Sequence, residues 1–103
     1  MPRRQRRGRL NYLRVVRRWP AWRNNSGGQK IGRHFVRWGE PGAADVLGVL
    51  PGGRLLCVEA KVGRNRPTPA QEAWLSMVRA AGALALVTRS VQELEEQFRE
   101  AGY

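Results

Sequence analysis

The first 39 residues of this 103-residue chain contain no aspartate or glutamate, and the whole chain holds one cysteine, one histidine and two lysines. Each shortage excludes something. A lone Cys57 permits no disulfide within the chain, and on a predicted strand it reads as a small buried side chain. His34 lies in an apolar-basic alternation with no partner at ligand spacing, so it reads as a surface or edge-strand residue. No apolar run approaches the ~18 residues of a spanning helix, and no apolar segment follows the basic start, so neither membrane insertion nor secretion is expected. The expected compartment is the cytoplasm. Internal repeats and low-complexity blocks are absent, and the length suits one domain with a single core.

What is abundant is arginine. Residues 1–39 carry eleven arginines and Lys30, a charge of +12, whereas residues 40–103 carry seven basic and eight acidic residues and are nearly neutral. Such a division marks the first part as a nucleic-acid-binding half, and arginine over lysine favours bidentate phosphate contacts and stacking. Arg14, Arg17, Arg18, Arg23, Lys30, Arg33 and Arg37 are candidate contacts there, joined by Arg64 and Arg66 in a later loop. Trp19, Trp22 and Trp38 are interleaved with these arginines and are candidates for stacking on exposed bases. Core packing is the plainer role for a tryptophan, and for Trp74 the better one. Residues 1–9 read as a basic arm that orders on phosphate, with residues 10–103 forming the domain.

Periodicity supplies the elements. Leu10 to Arg18 is expected as a short basic amphipathic helix, residues 24–29 as a loop, and Lys30 to Trp38 as a first strand. Val46 to Leu50 and Leu55 to Val62 form a predicted hairpin around Pro51-Gly52-Gly53. Thr68, Pro69 and Gln71 open a helix that stops at Gly82, Ala83 to Thr88 is a last strand, and Ser90 with Glu93 opens a final helix. The order α-β-β-β-α-β-α gives an α/β fold with a mixed sheet flanked by helices.

Within the hairpin, Glu59 and Lys61 are charges in an otherwise apolar strand, and such charges are costly without a partner or a metal. If Leu50 lies opposite Arg54, Asp45 falls opposite Glu59, with Cβ atoms roughly 5 Å apart, where like charges repel. A bulge at the glycines would shift that register by one. The period of two sets Leu55, Cys57, Glu59 and Lys61 on one face. A hard cation such as Mg²⁺ or Mn²⁺ would remove the repulsion, held by Asp45, Glu59 and the backbone carbonyl of Ala60. The chemistry that needs this set is phosphodiester hydrolysis, with Lys61 orienting or helping to deprotonate the attacking water and stabilising the phosphoryl oxygens.

Gly42-Ala43-Ala44-Asp45, Pro51-Gly52-Gly53-Arg54, Val58-Glu59-Ala60-Lys61, Thr68-Pro69-Ala70-Gln71 and Ala81-Gly82 resemble, in order and spacing, the VRR-NUC branch of the PD-(D/E)xK nuclease superfamily. Trp22 to Gly27 and Arg89-Ser90-Val91 are similar to further segments of it, so the likeness spans most of the chain. The resemblance implies a restriction-endonuclease-like fold and a homodimer that cuts branched DNA such as four-way (Holliday) junctions. Small stand-alone members resemble phage or mobile-element proteins, which would place this chain in a bacterial host. On that pattern Asp45 and Glu59 are metal ligands, Lys61 is the catalytic lysine, and Gln71 reaches toward them from its helix. Two positions depart from it. Ala44 stands where the family has proline, and the glutamate that the family carries on its first helix is missing, leaving Glu40 as the nearest substitute ligand.

Several roles stay open at this level. Gln71 is equally well the capping-box partner of Thr68. Arg64 and Arg66 suit either the DNA backbone or plain solvation. For the whole chain, a structure-specific metal-dependent endonuclease leads. A non-catalytic DNA-binding module with a degenerate site and a basic RNA- or ribosome-associated protein stand beside it.

Overall fold

The computed structural model describes residues 8–24 and 27–103, without the side chains of residues 36–38. It is a mixed α/β domain. A four-stranded sheet runs in the order β1 (Ala21–Arg23), β4 (Val46–Val49), β5 (Leu55–Ala60), β6 (Leu84–Thr88). Between β1 and β4 the chain leaves the sheet to make a separate two-stranded ribbon, β2 (Gly27–Ile31) and β3 (His34–Trp38). Helices α1 (Pro69–Ala80) and α2 (Val91–Glu100) follow β5 and β6.

The hairpin register follows from its turn. Gly52 and Gly53 both take φ near +91°, which side-chain-bearing residues rarely adopt, and Leu50 N–H donates to the Arg54 carbonyl at 2.8 Å. With no bulge there, Val49 pairs with Leu55 and Val46 with Val58. Beyond the last pair the ladder gives way to a side-chain contact, Asp45 Oδ2 accepting the Ala60 N–H at 3.3 Å, which keeps Asp45 beside the Glu59 end of β5. β6 then pairs parallel with β5, Glu59 beside Val87, the connection being made by α1.

β5 is central and covered on both faces, and residues 56–60 are all buried. On one face, Leu56 and Val58 pack with Leu13, Val46, Leu94 and Phe98. On the other, Cys57 packs with Leu75, Ala83 and Ala85, flanked by Trp74 and Val78 of α1. Glu59 shares the parity of Cys57 and therefore points to the α1 side, at the end of that apolar layer. The helix starts are capped as expected. Thr68 Oγ1 accepts the Gln71 N–H at 3.2 Å, and Ser90 Oγ accepts the Glu93 N–H at 3.0 Å.

The N-terminal half departs from expectation in three places. Lys30 to Trp38 is not one strand; Gly32, at φ +61°, turns the chain within a two-residue loop, and residues 27–29, expected as loop, belong to its first arm. The three residues of β1 form an additional edge strand, too short for a periodic signal. The first helix begins at Gly8 and widens into a π-helix over Tyr12–Val16, with Tyr12 and Leu13 buried and Val15 and Val16 exposed. Of the expected basic arm, residues 1–7 lie outside the described residues. Gly8 and Arg9, assigned to that arm, are helical, and Arg9 is buried. Among the described residues no helix is long and apolar enough to cross a membrane.

Candidate active site

The end of β5 gathers four of the expected groups, Glu59, Lys61, Gln71 and Asp45. Glu59 is only 2 % exposed. Its Oε1 accepts a hydrogen bond from Gln71 Nε2 at 3.3 Å and lies 3.7 Å from Lys61 Nζ. Its Oε2 is buried with no hydrogen-bond partner. Across the hairpin, Asp45 Oδ2 accepts the Ala60 N–H at 3.3 Å, which turns that carboxylate toward the Glu59 end of β5. Burial, then the neighbouring Asp45 carboxylate, pushes the Glu59 acid up to about 7, against the opposing pull of Lys61. Without a cation, this carboxyl holds its proton far above the ordinary range of a glutamate.

Local structure explains how each group is held. Asn24, at the end of β1, donates its backbone N–H to the Asp45 carbonyl at 2.7 Å and its side-chain amide to the Ala44 carbonyl at 3.1 Å, clamping the Asp45 segment. Gly42, at φ +79°, lets this segment press on the start of α1, where any Cβ would strike the Ala70 carbonyl and lie 3.1 Å from the Gln71 nitrogen. Lys61 donates its backbone N–H to the Thr88 carbonyl at 3.0 Å, extending the parallel pairing past Ala60. Gln71 fills both roles left open for it. Its Oε1 accepts the Thr68 N–H at 2.9 Å, completing the capping box, while its Nε2 holds Glu59.

Glu40 does not join them. It is exposed, its carbonyl accepts the Ala43 N–H at 3.1 Å, and it lines a shallow cleft of about 300 Å³ with Trp74 and Met77. Among the described residues no cluster of three or more acidic, histidine or cysteine side chains is formed. The donor set is therefore Asp45, Glu59 and backbone oxygen. That set fits a magnesium-like ion, which keeps most of its waters and uses one or two carboxylates. The partnerless buried Oε2 of Glu59 is the atom such an ion would satisfy.

Arg9 is the residue that sequence reasoning missed. Its guanidinium donates from Nη2 to the Thr88 carbonyl at 3.3 Å, the same carbonyl that takes the Lys61 N–H. Burial lowers its pKa, and the charges of Glu93 and Asp45 oppose that shift. No signal within its own arginine-rich neighbourhood distinguishes it.

The expected nucleic-acid contacts divide in two. Arg14 Nε donates to the Ala21 carbonyl at 2.8 Å. Arg17 Nη2 donates to the Tyr103 carbonyl at 2.7 Å, and its guanidinium lies over the Trp19 ring at 4.5 Å. Trp19 itself packs edge-on against Phe98 and Tyr103, so it belongs to the core and is not a stacking platform for bases. Arg18, Arg23, Lys30, Arg33, Arg64, Arg66 and Trp22 are exposed; the side chains of Arg37 and Trp38 lie outside the description. The loop bearing Arg64 and Arg66 is pinned by Arg89, which donates to the carbonyls of Gly63 and Asn65, each at 2.9 Å.

In comparisons with known proteins, no family model matches the chain and no curated protein matches it.

Proposed function

We propose that this chain is a metal-dependent DNA endonuclease hydrolysing phosphodiester bonds, acting on branched DNA as a homodimer in the cytoplasm. The observation that carries the reading is the buried Glu59, its Oε2 lacking a partner and its Oε1 3.7 Å from Lys61 Nζ, beside an Asp45 carboxylate that accepts the N–H of the next residue, Ala60. A fold stabilised for binding alone gains nothing from a fully buried carboxylate held close to a second one.

Asp45 and Glu59 would hold Mg²⁺ or Mn²⁺, with the Ala60 carbonyl beside them. The bound ion supplies neutralisation of phosphate charge and an acidified water. Gln71 fixes the rotamer of Glu59 from the rigid first turn of α1. Lys61, 16 % exposed in its side chain, is open enough to donate from Nζ to a phosphoryl oxygen and to orient the attacking water. Arg64 and Arg66, exposed on the loop that Arg89 pins after Lys61, would take neighbouring phosphates.

A non-catalytic binding module is the second reading, favoured by Arg9, whose buried guanidinium supplies positive charge near Asp45. One assay separates them. End-labelled four-way junction, flap, single-stranded and duplex DNA are incubated with Mg²⁺, Mn²⁺ or EDTA, beside the Asp45→Ala and Lys61→Ala proteins. Metal-dependent junction cleavage, lost in both variants with binding retained, is the expected result. Binding without cutting on every substrate and metal would transfer the chain to the second reading.

A further inference from the structure

The β2–β3 ribbon contributes none of its described side chains to either hydrophobic cluster, yet it exposes two large apolar residues. Ile31 is 57 % and Phe35 60 % exposed. The register sets Phe35 directly opposite Lys30 on one face of the ribbon, and Ile31 opposite His34 on the other, with Arg33 at the turn between them. Each face near the tip thus pairs an apolar side chain with a nitrogen-bearing one. A two-stranded ribbon has no second layer of its own, so side chains on either face stay accessible to a ligand.

The ribbon is rooted at the candidate site. It leaves the body just after Asn24, which is hydrogen-bonded to the Ala44 and Asp45 carbonyls. It returns through Gly42, packed on the start of α1 beside Gln71. Strands of five residues reach roughly 17 Å, about the rise of five base pairs at 3.4 Å each.

We propose that the β2–β3 ribbon is the branch-reading arm of this protein, with Lys30 and Arg33 taking phosphates while Phe35 and Ile31 lie against bases unstacked at a branch point. The choice of DNA as ligand rests on the nuclease reading of the adjacent site. A two-stranded ribbon fits the major groove, and an apolar side chain beside cations is the chemistry of proteins that wedge into or stack on bases. Continuous duplex offers Phe35 no open base face, whereas a branch does, so the apolar pair confers preference for structure and the cations confer affinity. A second copy of the ribbon is disfavoured as occupant, since residues 1–39 hold no acid to meet its cations.

The test uses the full chain in EDTA, so that binding is read without turnover, on an immobile four-way DNA junction carrying 2-aminopurine beside the branch, on linear duplex of the same sequence, and on the RNA form of the junction. Phe35→Ala and Ile31→Ala are expected to weaken junction binding about tenfold each while leaving duplex binding within twofold, and Phe35→Ala to abolish the 2-aminopurine response. The double variant Lys30→Ala, Arg33→Ala should weaken both ligands and reduce the log–log salt slope by about 2. Melting temperatures should stay at the parent value, which separates a lost contact from a lost fold. Junction preference unchanged in Phe35→Ala and Ile31→Ala overturns the proposal. So does ribbon-dependent binding that favours the RNA junction, or a fall in solution mass in the ribbon variants that marks the ribbon as a self-association surface. Ribbon-dependent junction binding with no cleavage under any metal upholds the ribbon's role and rejects the nuclease reading alone.

Discussion

Gln71 and Glu59 are joined by a 3.3 Å hydrogen bond from a side chain whose other end closes the capping box of α1 at 2.9 Å. Helix initiation and site geometry therefore depend on one residue, and the two functions can be separated by substitution.

Gln71→Ala loses both contacts and is expected to destabilise the fold by about 1 kcal/mol, with reduced cleavage. Gln71→Glu keeps a good capping residue but adds a carboxylate beside Glu59. Its melting temperature in EDTA at neutral pH should fall, and its affinity for Mn²⁺, read by calorimetric titration, should rise above the parent's. Equal Mn²⁺ affinity in the two proteins would detach Gln71 from the site.

The raised Glu59 acid gives stability a definite pH dependence. Between its ordinary value of 4.5 and about 7 the folded protein holds a proton that the unfolded chain has released. Stability from this group is therefore present at low pH and lost as pH rises through that window. In EDTA, the parent should lose roughly 5 °C or more in melting temperature relative to Glu59→Gln between pH 5 and pH 7.5. Mg²⁺ should restore the parent at the upper pH and leave Glu59→Gln unmoved. Parallel melting curves for the two proteins across this range would contradict the assignment.

Gly42→Ala sets a Cβ against the Ala70 carbonyl at a positive φ. Strain at such a residue costs on the order of 1–2 kcal/mol, and relief requires Asp45 and α1 to separate. The expected outcome is a lower urea midpoint together with a cleavage loss larger than the stability loss explains under conditions where the variant is fully folded.

Arg9→Met removes a buried hydrogen bond to the Thr88 carbonyl and a positive charge that acts on Asp45 and Glu93. Equilibrium urea unfolding should show a loss of roughly 1–3 kcal/mol. Arg9→Lys should recover only part of it, because a point charge does not reproduce the guanidinium's planar donor set. A variant as stable as the parent would mean that Arg9 is not anchored as described.

The hairpin was legible to the residue. The apolar runs on either side of Pro51-Gly52-Gly53 and the short turn between them determine which residues oppose which, and the observed pairs follow the expected register to Val46 and Val58. The Thr68–Gln71 cap was equally legible, since its partners lie three residues apart. The ribbon turn at Gly32 was not, because an alternating run reads the same whether it is one strand or two joined by a tight loop. Nor was the service of Arg17 and Trp19 in the core, where their partners are Phe98 and Tyr103.

What this sequence determined by itself is local: strand parity, hairpin register, helix starts and the division between a basic and a neutral half. All of these rest on interactions between residues a few positions apart, or on simple composition. The tertiary structure alone decided that Arg9 is buried against Thr88, 79 positions away, that Glu40 stays outside the site, and that the Glu59 acid is pushed upward by burial and by Asp45. Those outcomes depend on which side chains exclude water from a charged group, and water exclusion is a property of the packed whole.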